Sequence, residues 1–399
     1  MRYWIISELF YPEEVSTGYV MTKIAEKINE TESVGVICGP SGYQSGVLQA
    51  TYQLSDSILV KRVSVPRFNK NSLLLRMLGY ILLTTGIAFK ILVHVNRGDK
   101  LVLVTNPPTL LPVTAFLKKL KGFRFIIIVH DVFPENVVAG GMISEKSILY
   151  KLFLALFNWS YQVADRLIVV GNDMKELFYE KVDNKKPIKV ITNWADHTAI
   201  FPIKTSDFSK NYLPESKNKV LIQFAGNIGR VQGLEQLFRL LGKIKNHSWY
   251  LVLIGDGAQK ALLEKIVKEY HINNIQFLSS RPRNEQNDFL NACDIGLVTL
   301  SPGMFGLGVP SKVYNIFSAG KPVLYIGDRN AEISRYIHAN NVGWAFSWDD
   351  QDLITNFFEN INQIADEIPI KGVNARILTE RSFTKDTILD NYRSEILKN

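Results

Sequence analysis

Hydrophobic and polar residues follow two alternating patterns along most of the chain. Short continuous apolar runs, typical of buried strands, are followed by stretches with the i, i+3, i+4 spacing of helices. In the first half the strand-like runs are YWIISE, SVGVICG, LVLVTN, FRFIIIVH, RLIVVG and IKVITN, and the helix-like stretches are GYVMTKIAEKI, TLLPVTAFLKKL and MKELFYEK. Such alternation predicts a parallel sheet with helices on both faces.

The alternation stops once and then resumes. Residues 199–218 are polar, contain prolines and lack periodicity, which predicts a linker. After it come VLIQFAG, LEQLFRLLGKI, WYLVLIGDG, KALLEKIVKEY, IQFLSS, EQNDFLNAC, DIGLVTL, SKVYNIFSAG and PVLYIG. A chain of 399 residues is too long for one core. We therefore expect two doubly wound α/β domains facing across one cleft, at 1–198 and 219–378, with a closing helix at 379–399 near the hinge.

Composition places the chain among globular proteins of a reducing compartment. Hydrophobic residues make up 46% and charged residues 21%. The two cysteines, Cys38 and Cys293, lie at or beside apolar runs and have no metal-site or disulfide spacing. The first residues enter a strand without the pattern of a secretory signal, so we expect a cytoplasmic location.

Positive charge is concentrated in one segment. The net charge is +8, and residues 61–124 contain twelve Lys and Arg against one acid, Asp99. Nucleic acid fits poorly as the anionic partner, because the charges alternate with leucines rather than with stacking aromatics. The stretch from Arg67 to Lys90 instead predicts a helix on the anionic inner face of the plasma membrane, and Arg76 interrupts it too early for a spanning segment. The alternative is a core helix with solvated flanks.

Three glycine-containing turns pass from a strand to a helix in the second half. They are GNIGRVQG from Gly226, Gly255-Asp256-Gly257, and the turn before SKVYNIFSAG that carries Pro310, Ser311 and Lys312. Each alone is typical of ordinary turns or helix capping. Together they predict a phosphate-bearing nucleotide ligand, because free N–H groups at helix starts, with Arg230 and Lys312, favour an anion.

In the first half, His130 and Asp131 directly follow the strand FRFIIIV. Ligands of open parallel sheets bind at the carboxyl ends of the strands. A histidine there can hold or pass a proton near neutral pH, and the alternative is a structural histidine. The sequence has no Gly-x-Ser-x-Gly turn and no histidine pair with metal-site spacing.

Eight motifs carry a resemblance to a known family. They occur in family order between about residues 9 and 340 and read FYPEEVSTG, TNPPT, HDVFPENVVAGGMI, VADRLIVVGNDM, ITNWADHTAIF, FAGNIGRVQGLEQL, LIGDGAQK and VPSKVYNIFSAGKPVLYIGD. They resemble glycosyltransferase family 4, of the GT-B fold with two Rossmann-like domains. Within it, the chain is similar to the bacterial enzymes that build O-antigen and capsule, such as the WbuB-like N-acetylfucosamine transferases.

The resemblance implies a reaction and its partners. A sugar moves with retention from a nucleotide diphosphate donor, here a UDP-sugar, held mainly by the second domain. The implied acceptor is a polyprenyl-diphosphate-linked glycan held by the first domain. No metal and no cofactor are implied, because cationic side chains and helix N-termini take the place of an ion at the diphosphate.

The resemblance also implies roles for single residues. Catalytic roles fall on His130, Asp131, Arg230 and Lys312, and acceptor contacts on Pro107 and Glu135. The implied donor-binding residues are Thr17 and Gly18 in the loop after the first strand, and Asn227, Gly229, Arg230, Gln232, Gly255, Ser311, Lys312, Asn315 and Glu332.

Two departures from the family pattern leave other functions open. Asn227 and Gln232 stand where the family often has Arg and Lys, so Arg230 and Lys312 are the expected substitutes. The family also often has two glutamates around the last of these turns: the earlier one has no counterpart between Pro302 and Pro310, and Asn315, which cannot act as an anion, stands at the later, ribose-binding one. The alternatives are a nucleotide-sugar epimerase with the same two-domain plan, and a non-catalytic subunit that binds a nucleotide sugar or a membrane partner.

Overall fold

The computed structural model describes residues 1–13, 16–41, 52–66, 73–183, 186–204, 206–216 and 218–398. The chain forms two compact units. The first unit comprises Met1–Ile191 with Leu389–Asn399, and the second comprises Thr192–Ile388. Arg67 and Lys70 of the predicted membrane helix lie outside the described residues.

The first unit is built on a seven-stranded parallel sheet of order β3-β2-β1-β4-β5-β6-β7. Its elements are β1 Tyr3–Ser7, α1 Ser16–Asn29, β2 Val34–Cys38, β3 Leu59–Arg62, α2 Leu73–His94, β4 Lys100–Val104, α3 Leu110–Lys121, β5 Arg124–Val129, α4 Glu135–Ala139, α5 Ile148–Val163, β6 Arg166–Val169, α6 Asn172–Lys181 and β7 Ile188–Val190.

Helices cover both faces of this sheet. Right-handed crossovers place α2, α3, α5 and α6 on one face and α1 on the other. In agreement, α3 packs against both α2 and α5, and α1 packs against β1 and β2. The strands β1, β2 and β4 are buried along their whole length, which explains why their sequences are continuous apolar runs.

The second unit contains a six-stranded parallel sheet of order β10-β9-β8-β11-β12-β13. Its elements are α7 Asp207–Tyr212, β8 Val220–Ala225, α8 Leu234–Leu241, β9 Trp249–Ile254, α9 Lys260–Glu269, β10 Ile275–Leu278, α10 Gln286–Asn291, β11 Ile295–Thr299, α11 Lys312–Ser318, β12 Val323–Ile326, α12 Glu332–Asn340, β13 Gly343–Phe346, α13 Gln351–Glu359 and α14 Glu367–Ser382. The two predicted doubly wound sheets are confirmed.

The linker predicted at 199–218 is wrong. This segment contains α7 and packs on the second unit, where Phe208 is 2% exposed. The Phe208 N–H donates to Asp288 at 2.9 Å, and the Ser318 hydroxyl donates to the Ile200 carbonyl at 2.7 Å. The segment looked like a linker because polar hydrogen bonds, rather than a periodic apolar face, hold it in place.

The closing helix, α15 at Lys385–Leu397, begins in the second unit and ends in the first, because the boundary between the units falls between Ile388 and Leu389. Lys100 is buried, and its Nζ donates to the carbonyls of Ile396, Leu397 and Lys398 at 3.3, 2.8 and 2.8 Å. The buried Lys100 ammonium thereby satisfies the last carbonyl groups of α15 and interacts favourably with the negative end of the helix dipole. Residues 389–398 are thus an integral part of the first unit.

Strand order reverses between β1 and β4 in the first sheet and between β8 and β11 in the second. In open parallel sheets, ligands bind beyond the carboxyl ends of the strands at such switch points. The segments after β4 and β5 in the first unit, and after β8, β9 and β11 in the second, are therefore the places to seek a site.

Candidate active site

The glycine turns after β8 and β9 contact each other backbone to backbone. The Gly226 N–H donates to the Ile254 carbonyl at 2.9 Å. A Cβ at Gly255 would lie 2.0 Å from the Gly226 carbonyl oxygen, and Gly255 has φ +154°. A Cβ at Gly257 would lie 2.3 Å from the Ile228 carbonyl oxygen. These turns therefore need glycine for close approach within the unit, and they expose backbone at the carboxyl edge of the sheet.

Lys312 reaches from the start of α11 to the end of β8. Its Nζ lies 3.5 Å from the Phe224 ring centroid, and a Cβ at Gly226 would be 3.4 Å from the same atom. The Nζ is shielded from solvent and has no hydrogen-bond acceptor within the described residues. Burial lowers the pKa of this ammonium to about 7. A desolvated amine that is held only by an aromatic ring can accept an anion with little reorganisation.

Arg230 occupies a different environment from Lys312. It is exposed and lines a cavity of about 330 Å³ with Gly229, Gly233 and Ser301. Its carbonyl accepts a hydrogen bond from the Ser301 hydroxyl at 3.1 Å. The Arg230 side chain is thus exposed beside the cavity, whereas the Nζ of Lys312 is buried.

The neutral residues of the same turn are also in place. Asn227 is exposed beside Gly226. Gln232 ends a short 3-10 turn at Arg230–Gln232, and its Oε1 is shielded without a donor in the described structure. An amide held this way can orient a polar ligand, but it adds no charge. Positive charge at this edge therefore falls to Lys312 and Arg230.

The predicted residues of α11 and α12 lie in the second unit beyond the strand ends. Ser311 is exposed just before α11 and makes no side-chain capping bond, so the capping alternative is wrong for this residue. Asn315 accepts from the Asp196 N–H at 3.3 Å, which uses one of its amide atoms inside the unit. Glu332 begins α12 and is 2% exposed.

In the first unit, Thr105 fixes the backbone of His130 and Asp131. Both N–H groups donate to the Thr105 hydroxyl oxygen, at 3.2 and 3.3 Å, across the adjacent ends of β4 and β5. The Nε2 of His130 is shielded and has no partner among the described residues. Burial lowers the pKa of His130 to about 4. The imidazole is therefore neutral near neutral pH, where it can donate one hydrogen bond and accept another.

Asp131 and Glu135 form a small acidic cluster after β5. Asp131 accepts from the Asn136 amide at 3.0 Å, and burial raises the pKa of its carboxyl group. Glu135, the first residue of α4, pairs through Oε1 with the Nζ of Lys181 at the end of α6. The second oxygen, Oε2, is shielded and has no donor within the described structure. It is an open acceptor for a hydroxyl group.

Thr17 and Gly18 belong to the first turn of α1 rather than to a loop, which corrects the prediction. A Cβ at Gly18 would lie 2.9 Å from the Glu13 carbonyl, so close packing alone explains this glycine. Pro107 is buried after β4, and its carbonyl accepts from the Leu110 N–H at 3.2 Å as α3 begins. Both sites lie at the carboxyl edge of the first sheet.

Two residues of the candidate site, Thr105 and Lys181, were not predicted from the sequence. Thr105 lies inside the motif TNPPT, where its position at a strand end was a usable signal. Lys181 gave no signal, because it meets Glu135 only through the fold. The described residues contain no group of three His, Cys, Asp or Glu side chains that could hold a metal ion.

The two α/β units, each an open parallel sheet with polar side chains beyond its strand ends, have the architecture of the GT-B fold. The family described as glycosyl transferases group 1 matches residues 205–360. The chain is 36% identical over 380 residues to the probable glycosyltransferase WbjE of Pseudomonas aeruginosa, covering 95% of this chain and 94% of that protein. The chain therefore belongs to the group 1 glycosyl transferases, the GT4 enzymes of GT-B fold.

More distant relatives agree with this assignment. The putative colanic acid biosynthesis glycosyl transferase WcaI of Escherichia coli K12 is 23% identical over 304 residues, covering 75% of this chain and 74% of that protein. The structure of Anabaena Alr3699/HepE in complex with UDP matches with a TM-score of 0.72 at 15% identity and 99% coverage of both chains. WaaG, a glycosyltransferase involved in lipopolysaccharide biosynthesis, matches with a TM-score of 0.71 at 14% identity and full coverage of both chains. At these identities the structural matches establish the fold.

Proposed function

We propose that the protein is a retaining glycosyltransferase of bacterial surface-polysaccharide biosynthesis, which moves a sugar from a UDP-sugar to a lipid-linked glycan. The observation that carries this proposal is the buried Nζ of Lys312, held over Phe224 beside Gly226 without an acceptor. A desolvated cation at a strand end needs an anion to be satisfied, and a diphosphate supplies one.

The names of the relatives support the donor and the pathway. HepE was solved with UDP and with UDP-glucose, and the WcaI description refers to colanic acid, a surface polysaccharide. We propose UDP as the carrier and a hexose or N-acetylhexosamine as the transferred sugar, as in the WbuB-like enzymes. Gly229, Gly255, Asn227 and Gln232 would then line the diphosphate and base. Asn315 and Glu332 would hold the ribose and the sugar.

The proposed chemistry is a front-face displacement. The bond from the anomeric carbon to the leaving phosphate oxygen breaks as the acceptor hydroxyl oxygen bonds to the same face. The acceptor proton passes to that phosphate oxygen. Lys312 and Arg230 stabilise the diphosphate charge that develops, so no metal ion or other cofactor is needed. His130, being neutral, would donate or accept a hydrogen bond to the transferred sugar.

The acceptor is proposed to bind the first unit. Asp131, Pro107 and the open Oε2 of Glu135 offer acceptor-facing groups beyond β4 and β5. A polyprenyl diphosphate glycan lies at the inner face of the plasma membrane. The protein would therefore work as a cytoplasmic enzyme bound peripherally to that surface.

The test is a panel of UDP-, GDP- and dTDP-sugars, assayed for release of free nucleoside diphosphate with and without a membrane extract that contains lipid-linked glycans. We expect UDP release from one UDP-sugar, stimulated by the extract and retained in excess EDTA. An epimerase would convert the sugar and release no nucleoside diphosphate. A binding subunit would turn over no donor. Anomeric configuration in the product, read by NMR coupling, tests retention.

A further inference from the structure

The first unit exposes an unusually apolar surface on three adjacent helices. Of the twenty-five large hydrophobic side chains that are exposed in the described part of the chain, sixteen lie on α2, α3 and α5. We call this surface the three-helix face. Its members are Leu75, Met77, Leu78, Ile81, Leu82, Phe89, Leu92 and Val93 on α2, Phe116 and Leu120 on α3, and Ile148, Leu149, Leu152, Phe153, Leu156 and Trp159 on α5.

The α5 helix is apolar on two sides at once. One stripe, which includes Tyr150, Phe157 and Tyr161, is buried against the unit. The opposite stripe, which includes Ile148 and Leu152, is 77% and 63% exposed at those two residues. A helix that only covers a sheet needs one apolar stripe, with polar residues on its outer face. The second stripe therefore indicates contact with something apolar.

The α2 helix shows the same arrangement. Met77–His94 has the length and composition of a membrane-spanning helix, in contrast to the sequence-based expectation, yet 28% of it is buried. Its inner stripe of Leu83, Ile87 and Ile91 packs in the core at 0–2% exposure, so the helix lies along the unit. Even its exposed Thr85 donates its hydroxyl to the Ile81 carbonyl at 2.8 Å. The outer stripe thus offers apolar groups and a hydroxyl that is already satisfied.

The charges on these helices all have one sign. The sequences of α2, α3 and α5 contain Arg76, Lys90, Lys118, Lys119, Lys121 and Lys151 and no Asp or Glu. Lys119 and Lys151 are exposed beside the apolar stripes. Lys118 is paired with Asp165, which lies just past the end of α5. An apolar face rimmed by cations complements the interface of an anionic bilayer.

We propose that the three-helix face binds an anionic lipid bilayer in the plane of the membrane, with the outer stripes of α2 and α5 inserted at the boundary between headgroups and acyl chains. This inference rests on the proposed function, which supplies the lipid-linked acceptor. The three-helix face is the surface that would bring the enzyme to that acceptor. A second copy of the chain is a poorer occupant, because a symmetric contact would place these cations against one another.

The connection to the acceptor residues supports this choice. The chain leaves β5 at His130 and Asp131, forms α4 from Glu135, and reaches α5 at Ile148. Met142, in the segment between α4 and α5, is also exposed. Residues 131–147 therefore join the proposed acceptor residues directly to the inserted helix. An acceptor whose prenyl chain is in the bilayer would carry its diphosphate in the headgroup layer beside them.

The apolar stripes change the expected salt dependence. A helix held by lysines alone is released when salt screens its charges. Salt does not screen the hydrophobic contribution of inserted apolar side chains. It should therefore lower the rate of association with the membrane more than it raises the rate of dissociation.

The experiment measures flotation with vesicles that contain anionic phosphatidylglycerol. The test variant is Leu152→Glu/Leu156→Glu on α5, and the matched control is Leu353→Glu/Ile370→Glu, two exposed apolar residues of the second unit. Both variants remove two exposed apolar groups and add the same charge. We expect vesicle affinity to fall at least about tenfold in the test variant and to stay near that of the parent in the control. Protein already bound should remain largely bound after a wash in about 0.5 M salt.

A second readout reports insertion directly. Trp159 lies on the outer stripe of α5, so lipids brominated on the acyl chain should quench its fluorescence. Trp159→Phe should remove that quenching. UDP release in vesicle-free solution should be equal in all variants, which separates this inference from the proposed function.

Three outcomes would overturn the inference. The test variant could bind vesicles as the parent does, the parent could fail to bind while it still releases UDP, or the parent could be a dimer that Leu152→Glu/Leu156→Glu converts to a monomer without vesicle binding. Vesicle binding by a protein that releases no UDP would contradict the proposed function and leave the face assignment intact.

Discussion

The Nζ of Lys312 lies 3.5 Å from the ring centroid of Phe224, so a residue at the start of α11 places its charge against the strand β8. The aromatic face compensates part of the cost of desolvating the ammonium. The part of the desolvation cost that the ring does not compensate lowers the pKa of the Lys312 ammonium to about 7. An anion at Gly226 would restore the charged form.

Replacing Lys312 by Ala should weaken donor binding by roughly tenfold to a hundredfold, because a charge-assisted contact of about 1.5–3 kcal/mol is lost. Calorimetric titration with the UDP-sugar that the panel identifies measures this. Lys321→Ala, which changes a lysine just after α11, is the matched control and should bind as the parent does. Equal affinity in Lys312→Ala and the parent would remove Lys312 from the donor site. Arg230→Gln should show a smaller loss, because its side chain is exposed.

Donor binding should take up a proton above neutral pH. The free protein loses the Lys312 proton as the pH rises through about 7, and the bound diphosphate raises the pKa again. Affinity should therefore be constant below about pH 7 and fall up to about tenfold per pH unit above it. Titration in two buffers of different ionisation enthalpy counts the protons. Lys312→Arg keeps its charge and should abolish this uptake; an unchanged proton count in that variant contradicts the mechanism.

His130→Ala should lose most sugar transfer and keep UDP affinity, because His130 belongs to the first unit and the proposed diphosphate site to the second. Single-turnover transfer and UDP titration separate the two effects. His338→Ala, at an exposed position of α12, serves as the control. A neutral His130 also predicts no change in kcat between pH 5.5 and 7.5 attributable to this group, since its pKa is about 4. Near-parent transfer in His130→Ala would make the residue structural.

The Glu135–Lys181 pair gives a prediction about stability. The Lys181 side chain is 5% exposed, and burial lowers the pKa of its ammonium. Lys181→Met leaves a shielded carboxylate without its cation and should lower the free energy of unfolding by about 3–5 kcal/mol. The double variant Lys181→Met/Glu135→Gln should recover much of that loss. Urea unfolding followed by circular dichroism measures both; a double variant as unstable as the single one would show that the charge is not the cause.

Sequence patterns predicted the central strands because burial on both faces demands continuous apolar runs. They missed β3 and β13, which are edge strands of four residues with half-buried side chains and short, mixed sequences. They also missed α5. Its outer stripe is as apolar as its inner one, so the polar half of the helical period is missing from ILYKLFLALFNWSYQV. The apolar outer stripe that obscures this helix in the sequence is also the feature that indicates an apolar partner for it.

The candidate site was predictable where its geometry is local. Gly226, Gly255 and His130 directly follow strands, and parallel strands align their carboxyl ends at one edge. Lys312 was predicted at a turn, but its contact with Phe224 of β8 depends on how α11 packs on the neighbouring strands β11 and β12. Lys181 lies 46 positions from Glu135, and nothing in either local sequence specifies that pairing. The neutral state of His130 also needed the fold, because burial rather than residue type sets its pKa.

Because Lys100 bonds to the carbonyls of residues 396–398, the first unit cannot be completed until those residues have been synthesised. Residues 192–388 form the second unit and are synthesised before residues 389–398, which complete the first. The N-terminal unit therefore begins to emerge first, yet it is finished last, in contrast to the usual N-terminal-first order of folding domains. Until then Lys100 lacks its acceptors, although all seven strands of the sheet have already been synthesised and the apolar side chains of α2 and α5 are exposed. The nascent chain would thus meet the membrane or a chaperone before its own last helix.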